Sequence, residues 1–203
     1  MIKRLLLVCT VICSMLLWSQ RIVAAPEPSI VPVSWQLEMT TQPLRRINVH
    51  WRGQSAPTTY WYLLYQVVNN SQQEIEFVPT FHLTTPSGQV VRDSPDPNIF
   101  ARIKQLHGQA LLENSVEIIG PLLQGEDNAR DGVAIWSSVE PEADAFTIYA
   151  GGFSGEAAVV KSPVTGKRVL LRRNIRLHYG VPGDAINTRP KRGTLIKRDA
   201  VMR

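Results

Sequence analysis

The sequence predicts an all-β fold, an antiparallel β-sandwich with one short crossing helix, and three observations carry that reading. From about residue 32 to 180 apolar residues mostly alternate with polar ones, the period of a strand. Turn signals recur between these runs, as at Pro86-Ser87-Gly88 and Thr165-Gly166-Lys167, where glycine takes positive φ without a Cβ clash. One window, between Asp96 and Gly108, has secure helical spacing. Many short strands separated by turns build a sandwich or a barrel.

In chain order, residues 26–31 (Pro-Glu-Pro-Ser-Ile-Val) lead into the domain. The expected strands are 32–39, 45–51, 58–69, 75–84, 88–92, 131–139, 144–150, 156–161 and 167–179. In the run from Tyr60 to Val68 both alternating faces are apolar: Trp61, Leu63, Tyr65 and Val67 on one, Tyr60, Tyr62, Leu64 and Val68 on the other. A strand of that kind is central and covered on both sides. The helix has a cap in Asp96, a proline at its first position in Pro97 and a stop at Gly108. Ile99, Phe100, Ile103 and Leu106 form its apolar stripe, which is expected to cover an end or open edge of the sandwich. Residues 109–130 read equally as short helix, strand or packed loop. In the last strand Val169, Leu171, Ile175, Leu177 and Tyr179 share a face with Arg173, while Arg168, Arg172, Asn174, Arg176 and His178 share the other with Leu170. One face belongs in the core and the other is cationic and faces water.

The N-terminus carries an address. Met1-Ile2-Lys3-Arg4 is followed by an uncharged apolar run from Leu5 to Trp18 and by the small residues Ala24-Ala25, the layout of a secretory signal peptide. Cutting after Ala24 avoids Pro26; the alternative is an uncleaved anchor, although the run is short of the roughly 20 apolar residues that span a bilayer. The expected organisation is therefore a signal peptide over 1–25, a sandwich domain over 26–184 and a basic flexible tail over 185–203. Both cysteines, Cys9 and Cys13, fall in the signal, so the expected mature chain is secreted or periplasmic and has no disulfide or thiolate metal site. Asn69-Asn70-Ser71 matches a glycosylation sequon.

The net charge of +5 is unevenly spread. Residues 26–184 carry 13 basic and 16 acidic side chains, whereas 185–203 carry Arg189, Lys191, Arg192, Lys197, Arg198 and Arg203 against Asp199 alone. The body is mildly acidic, so a nucleic-acid partner is not expected. The basic tail offers peripheral contact with a membrane or an acidic partner, weakening as salt rises. The candidate anionic-ligand face is Arg168, Arg172 and Arg176, facing an envelope polysaccharide, a lipid head group or another anionic polymer. A solvated strand face with no ligand explains the same three residues.

Signals for catalysis are poor. Gly151-Gly152-Phe153-Ser154-Gly155 lacks the residue between serine and the second glycine that a nucleophile elbow requires, and strands flank it. His50, His82, His107 and His178 are scattered, without zinc-ligand spacing. The segment Gly125 to Gly132 has the look of a calcium loop, but Ala129 and Ser138 stand where oxygen ligands are needed; Asp93, Asp96 and Asn98 form a second acidic turn. No catalytic residue, metal ligand or cofactor is assigned.

Three stretches, YWYLLYQVVNN (60–70), GEDNARDGVAI (125–135) and FTIYAGGFSG (146–155), together resemble a group of secreted proteins from planctomycete-type bacteria. More loosely the layout is similar to immunoglobulin-like domains of bacterial envelope accessory proteins. The resemblance spans most of residues 45–184 and implies an immunoglobulin-like sandwich. It carries no activity. The function expected is an exported, non-catalytic envelope or extracellular interaction module. The alternatives are a carbohydrate- or calcium-dependent ligand binder, with Trp51, Trp136 and Tyr149 as candidate exposed aromatics, and, lowest, a hydrolase with a dispersed site around His178.

Overall fold

The computed structural model describes residues 26–181 and 192–203; the expected signal peptide, 1–25, and residues 182–191 lie outside the described residues. The first sheet is built around β3 (Thr58–Val68). On one side of β3 lie β1 (Glu38–Thr41) and β2 (Leu44–Val49), successive pieces of one broken strand. On the other lies β9 (Arg130–Ser137), edged by the two-residue parallel strand β7 (Glu113–Asn114). The second sheet runs β6 (Val90–Arg92), β5 (Thr80–Thr84), β10 (Ala145–Gly151), β12 (Arg168–Gly180) and β13 (Arg192–Met202), all antiparallel. Strand β11 (Ala157–Lys161) pairs with the first residues of β12, and β4 (Ile75–Phe77) pairs with β8 (Gly120–Leu122) apart from the rest.

The two sheets face each other across the main core, in which Trp61, Leu63, Tyr65 and Val67 of β3 meet Phe81 and Leu83 of β5, Phe146 and Ile148 of β10, and Leu177 and Tyr179 of β12. They are stitched along both sides. Arg192 and Gly193 of β13 pair with Arg45 and Leu44 of β2 at one corner. At the other, Ser94 N donates to Ile135 O at 2.9 Å and Ile135 N donates to the Asp93 carboxylate at 2.5 Å. Burial pushes that carboxyl above its ordinary range, and the hydrogen bond from Ile135 works against the shift.

Both faces of β3 are buried, as its sequence requires. The outer face, Tyr60, Tyr62 and Leu64, joins Val133 and Ile135 of β9 under the helix α1 (Pro97–His107) through Ile99, Phe100 and Ile103. The helix thus covers a sheet face, not the end or edge expected. Its caps are as the sequence dictates: the Asp96 side chain accepts from Asn98 N and Ile99 N, and Gly108 closes it at φ 61°. Leu106, placed on the apolar stripe by spacing, is 62 % exposed. Its place is taken by His107, four residues on from Ile103, whose Nε2 lies 3.1 Å from the Tyr62 hydroxyl.

Other departures have local causes. The expected strand 75–84 is cut into β4 and β5 at Val78-Pro79, because proline cannot donate to a ladder. Residues 109–130 form a packed loop with two short strands and a 3-10 turn at Glu126–Asn128, pinned by buried Leu112, Ile118 and Leu122. The largest correction concerns the tail. Residues 192–202, expected to be flexible, are β13, paired with β12 from Arg173–Met202 to Gly180–Thr194. Main-chain bonding, not an apolar stripe, holds this strand: Leu195 and Ile196 remain 38 % and 73 % exposed.

The sequon asparagine is structural. Asn69 is fully buried; its Nδ2 donates to Gln73 O at 2.7 Å and Leu122 O at 2.8 Å, and its Oδ1 accepts from Ser71 N and Ser71 Oγ. It ties the end of β3 to the next turn and to β8. Asn69→Ala leaves two carbonyls without these donors and is expected to cost about 3 kcal/mol, read by denaturant unfolding. Deleting residues 192–203 uncovers one side of β12 and should lower the thermal midpoint sharply or abolish folding, as followed by circular dichroism; an unchanged midpoint would make β13 dispensable.

Candidate functional site

The two sheets differ on their outer faces. That of the first is apolar and lies under α1. Among the described residues, no helix covers that of the second. Across it run two polar rows set by strand register. One aligns Arg92 of β6, His82 of β5, Tyr149 of β10, Arg176 of β12 and Asp199 of β13. The next aligns Thr80, Gly151 and Asn174. Here the sheet opens into a depression of about 550 Å³, lined among others by Trp35, Thr80, His82, Asn174, Arg172 and Arg203.

Glycines shape its floor. A Cβ on Gly151 would lie 2.6 Å from Thr80 Oγ1 and 3.0 Å from Asn174 Oδ1, so glycine is what lets those two polar groups converge. Gly152, at φ +88°, backs onto the Val78 carbonyl, with no space for a side chain. The glycine-rich stretch 151–155 is therefore a close-packed turn, and Ser154 Oγ accepts from Glu156 N at 3.1 Å. Among the described residues no histidine hydrogen bonds to Ser154, and no group of three His, Cys, Asp or Glu side chains is arranged for a metal ion.

Arg168, Arg172 and Arg176 share one face of β12, as the alternation requires, but they do different things. The Arg176 guanidinium is held by the Asp199 carboxylate through two bonds of 2.7 Å. Arg172 is exposed at the rim of the depression, where its main chain exchanges two bonds with Arg203. Arg168 stands outside it, paired across from Lys161. The Arg203 guanidinium lies 4.3 Å from the Tyr149 ring centroid. Burial first, then the charges of Arg203 and Arg92, hold the His82 imidazole below its ordinary pKa. The depression thus gathers Arg172, Arg203 and His82.

Arg173, on the other face of β12, is absorbed structurally. It pairs with Glu156 at 2.8 Å, donates to Ser29 O at 2.9 Å, and Glu156 accepts from Ser29 N at 2.8 Å. This clamp fixes the leader, and the Arg173 and Ser29 hydrogen bonds keep the Glu156 carboxyl below the usual carboxylate range. Of the aromatics proposed for a sugar, Trp136 is fully buried, Trp51 packs against the helix cluster and Tyr149 is covered by Arg203. His178 Nδ1 lies 3.1 Å from Thr147 Oγ1, with Lys197 across from it on β13. Sequence reasoning found Arg172 from its spacing. It missed Arg203, which it placed in a tail, and left His82 as a strand histidine; both reach the depression through strand order.

Compared with known proteins, the chain matches no family model, no curated protein and no solved structure.

Arg176 and Lys197 hold the Asp199 carboxyl well below the usual range, so this ionic contribution is complete above the ordinary Asp value of about 4 and fades as pH falls through the lower folded value. Asp199→Asn should cost up to about 1 kcal/mol at neutral pH. The gap from the parent should close on acidification, measured by denaturant unfolding along a pH series; a gap independent of pH would remove the charge from the explanation.

Proposed function

We propose that the chain is an exported, non-catalytic interaction module of the envelope or extracellular space, and that the open outer face of its second sheet takes an anionic ligand. One observation carries the reading: of two sheet faces built from the same chain, one is sealed by a helix and the other is left open around Arg172, Arg203 and His82. Guanidinium groups are suited to carboxylate, sulfate or phosphate oxygens, and the side chains of Thr80 and Asn174 add neutral partners beside them. The apolar N-terminal run from Leu5 to Trp18, followed by the small residues Ala24-Ala25, supports export. Trp136 is buried, Trp51 packs against the helix cluster and Tyr149 lies under Arg203, so the reading rests on charge.

A sulfated dextran is the first probe, titrated calorimetrically in low salt. Arg172→Ala and Arg203→Ala should each weaken binding about tenfold, the loss of one charge-assisted contact. Affinity should fall with added salt and rise as pH drops through the lowered His82 pKa, since an anion beside the imidazole favours its charged form. Unaltered binding in both arginine variants would move the site off this face.

A further inference from the structure

Beyond the sandwich, β11 and the start of β12 leave the fold as a two-stranded ribbon. Residues 168–171 of β12 have β11 as their strand partner, while β10 and β13 join β12 only further along. Five residues of β11 make a finger roughly 16 Å long. Its turn is tight: Ser162 N donates to Lys167 O and Gly166 N to Ser162 O, each at 2.8 Å, with Gly166 at φ 68°.

Two properties of this finger conflict with a merely solvated hairpin. At its tip Val164 is 91 % exposed, in a turn position where polar residues are usual. On its flank Val159 and Leu170 are paired across the strands and are 53 % and 51 % exposed. Around these apolar groups stand Lys161, Lys167, Arg168 and Arg172, and residues 157–172 contain no acidic side chain. Cations alone would protect an edge against pairing. They do not explain an apolar tip, and an apolar tip in a ring of cations complements a surface that is anionic outside and apolar beneath.

We propose that the β11–β12 hairpin is a membrane-docking finger, which sinks Val164 into an anionic lipid surface while Lys161, Lys167 and Arg168 meet the head-group phosphates. The finger is separate from the sheet-face depression and does not depend on the anion proposed there. Interfacial segments bind in this way, by apolar burial to the depth of the head groups together with attraction to anionic lipid.

The test places an environment-sensitive fluorophore at Thr165→Cys in the full chain with Cys9→Ser and Cys13→Ser, so that the reading is local to the tip whatever the N-terminal segment does. A matched label at Val90→Cys, on the far edge strand, is the control. Phosphatidylcholine vesicles with phosphatidylglycerol should blue-shift the tip label and expose it to a lipid-phase quencher, and vesicles of phosphatidylcholine alone should not. Val164→Asp should abolish the shift. Lys167→Gln and Arg168→Gln should each raise the lipid needed by about fivefold. Arg203→Ala should leave the shift intact, even if it weakens dextran sulfate binding. A shift equal at Val90, equal on neutral lipid, or unchanged by Val164→Asp overturns the proposal. So does loss of the shift in Arg203→Ala alone, which would assign the anionic surface to the sheet face, or dextran sulfate binding that depends on Lys167 and Arg168 with no vesicle response, which would make the finger a reader of soluble polyanions.

Discussion

Strand β3 is the constraint from which the architecture follows. Eleven residues long and buried on both faces, it needs two different covers. The second sheet supplies one, meeting Trp61, Leu63, Tyr65 and Val67, and α1 supplies the other over Tyr60, Tyr62 and Leu64. Among the described residues there is no second α-helix. Polar side chains occupy the outer face of the second sheet, and no described helix lies over it. The placement of the open face is thus decided on the opposite side of the molecule, by where the aromatic residues of β3 require shielding. Gly132 shows how tightly that arrangement is set: a Cβ there would run into the Tyr65 ring opposite it.

Strand β12 is the second spine, and its 13 residues do three jobs in succession. Its end, Leu177 and Tyr179, is core. Its middle carries Arg173 and Arg176, each answered by a carboxylate from another segment, Glu156 and Asp199. Its beginning leaves the sandwich with β11. Three arginines at alternate-pair spacing look equivalent in a sequence, yet their surroundings separate them into a rim residue, an ion-pair partner and a hairpin residue. Charge on a strand is therefore not one property. Each cation is defined by what the neighbouring strand places across from it.

What could be read from the sequence was whatever is encoded locally. The helix is announced by Asp96, Pro97 and Gly108 within a dozen residues, and the double burial of β3 by two apolar alternations in one run. The sandwich class follows from the same periodicity. Strand β13 is different: Arg192-Gly193-Thr194-Leu195-Ile196-Lys197-Arg198-Asp199 has no buried alternation, and it is held by the β12 ladder, by Asp199 on Arg176, and by Arg198 donating to Met39 O at 2.6 Å. Those partners lie outside the strand itself, in β12 and at Met39, so its own residues do not carry the signal. The depression was half legible for the same reason. Arg172 announces itself on its strand, whereas Arg203, Tyr149 and His82 become neighbours only through the order β5-β10-β12-β13.

The corner where β13 meets β2 joins Arg192 and Gly193 to Arg45 and Leu44, closing a loop of nearly the whole domain. Contacts that distant in sequence are slow to form, because the closure entropy must be met before the pairing rewards it. Nor can they form early: until β13 has left the ribosome, β12 lacks one of its partners and the two sheets lack one of their seams. A chain exported through a narrow channel has to arrive there unfolded. For the export proposed above, late closure of this seam would suit passage, since the fold is incomplete until β13 pairs with β12 and β2.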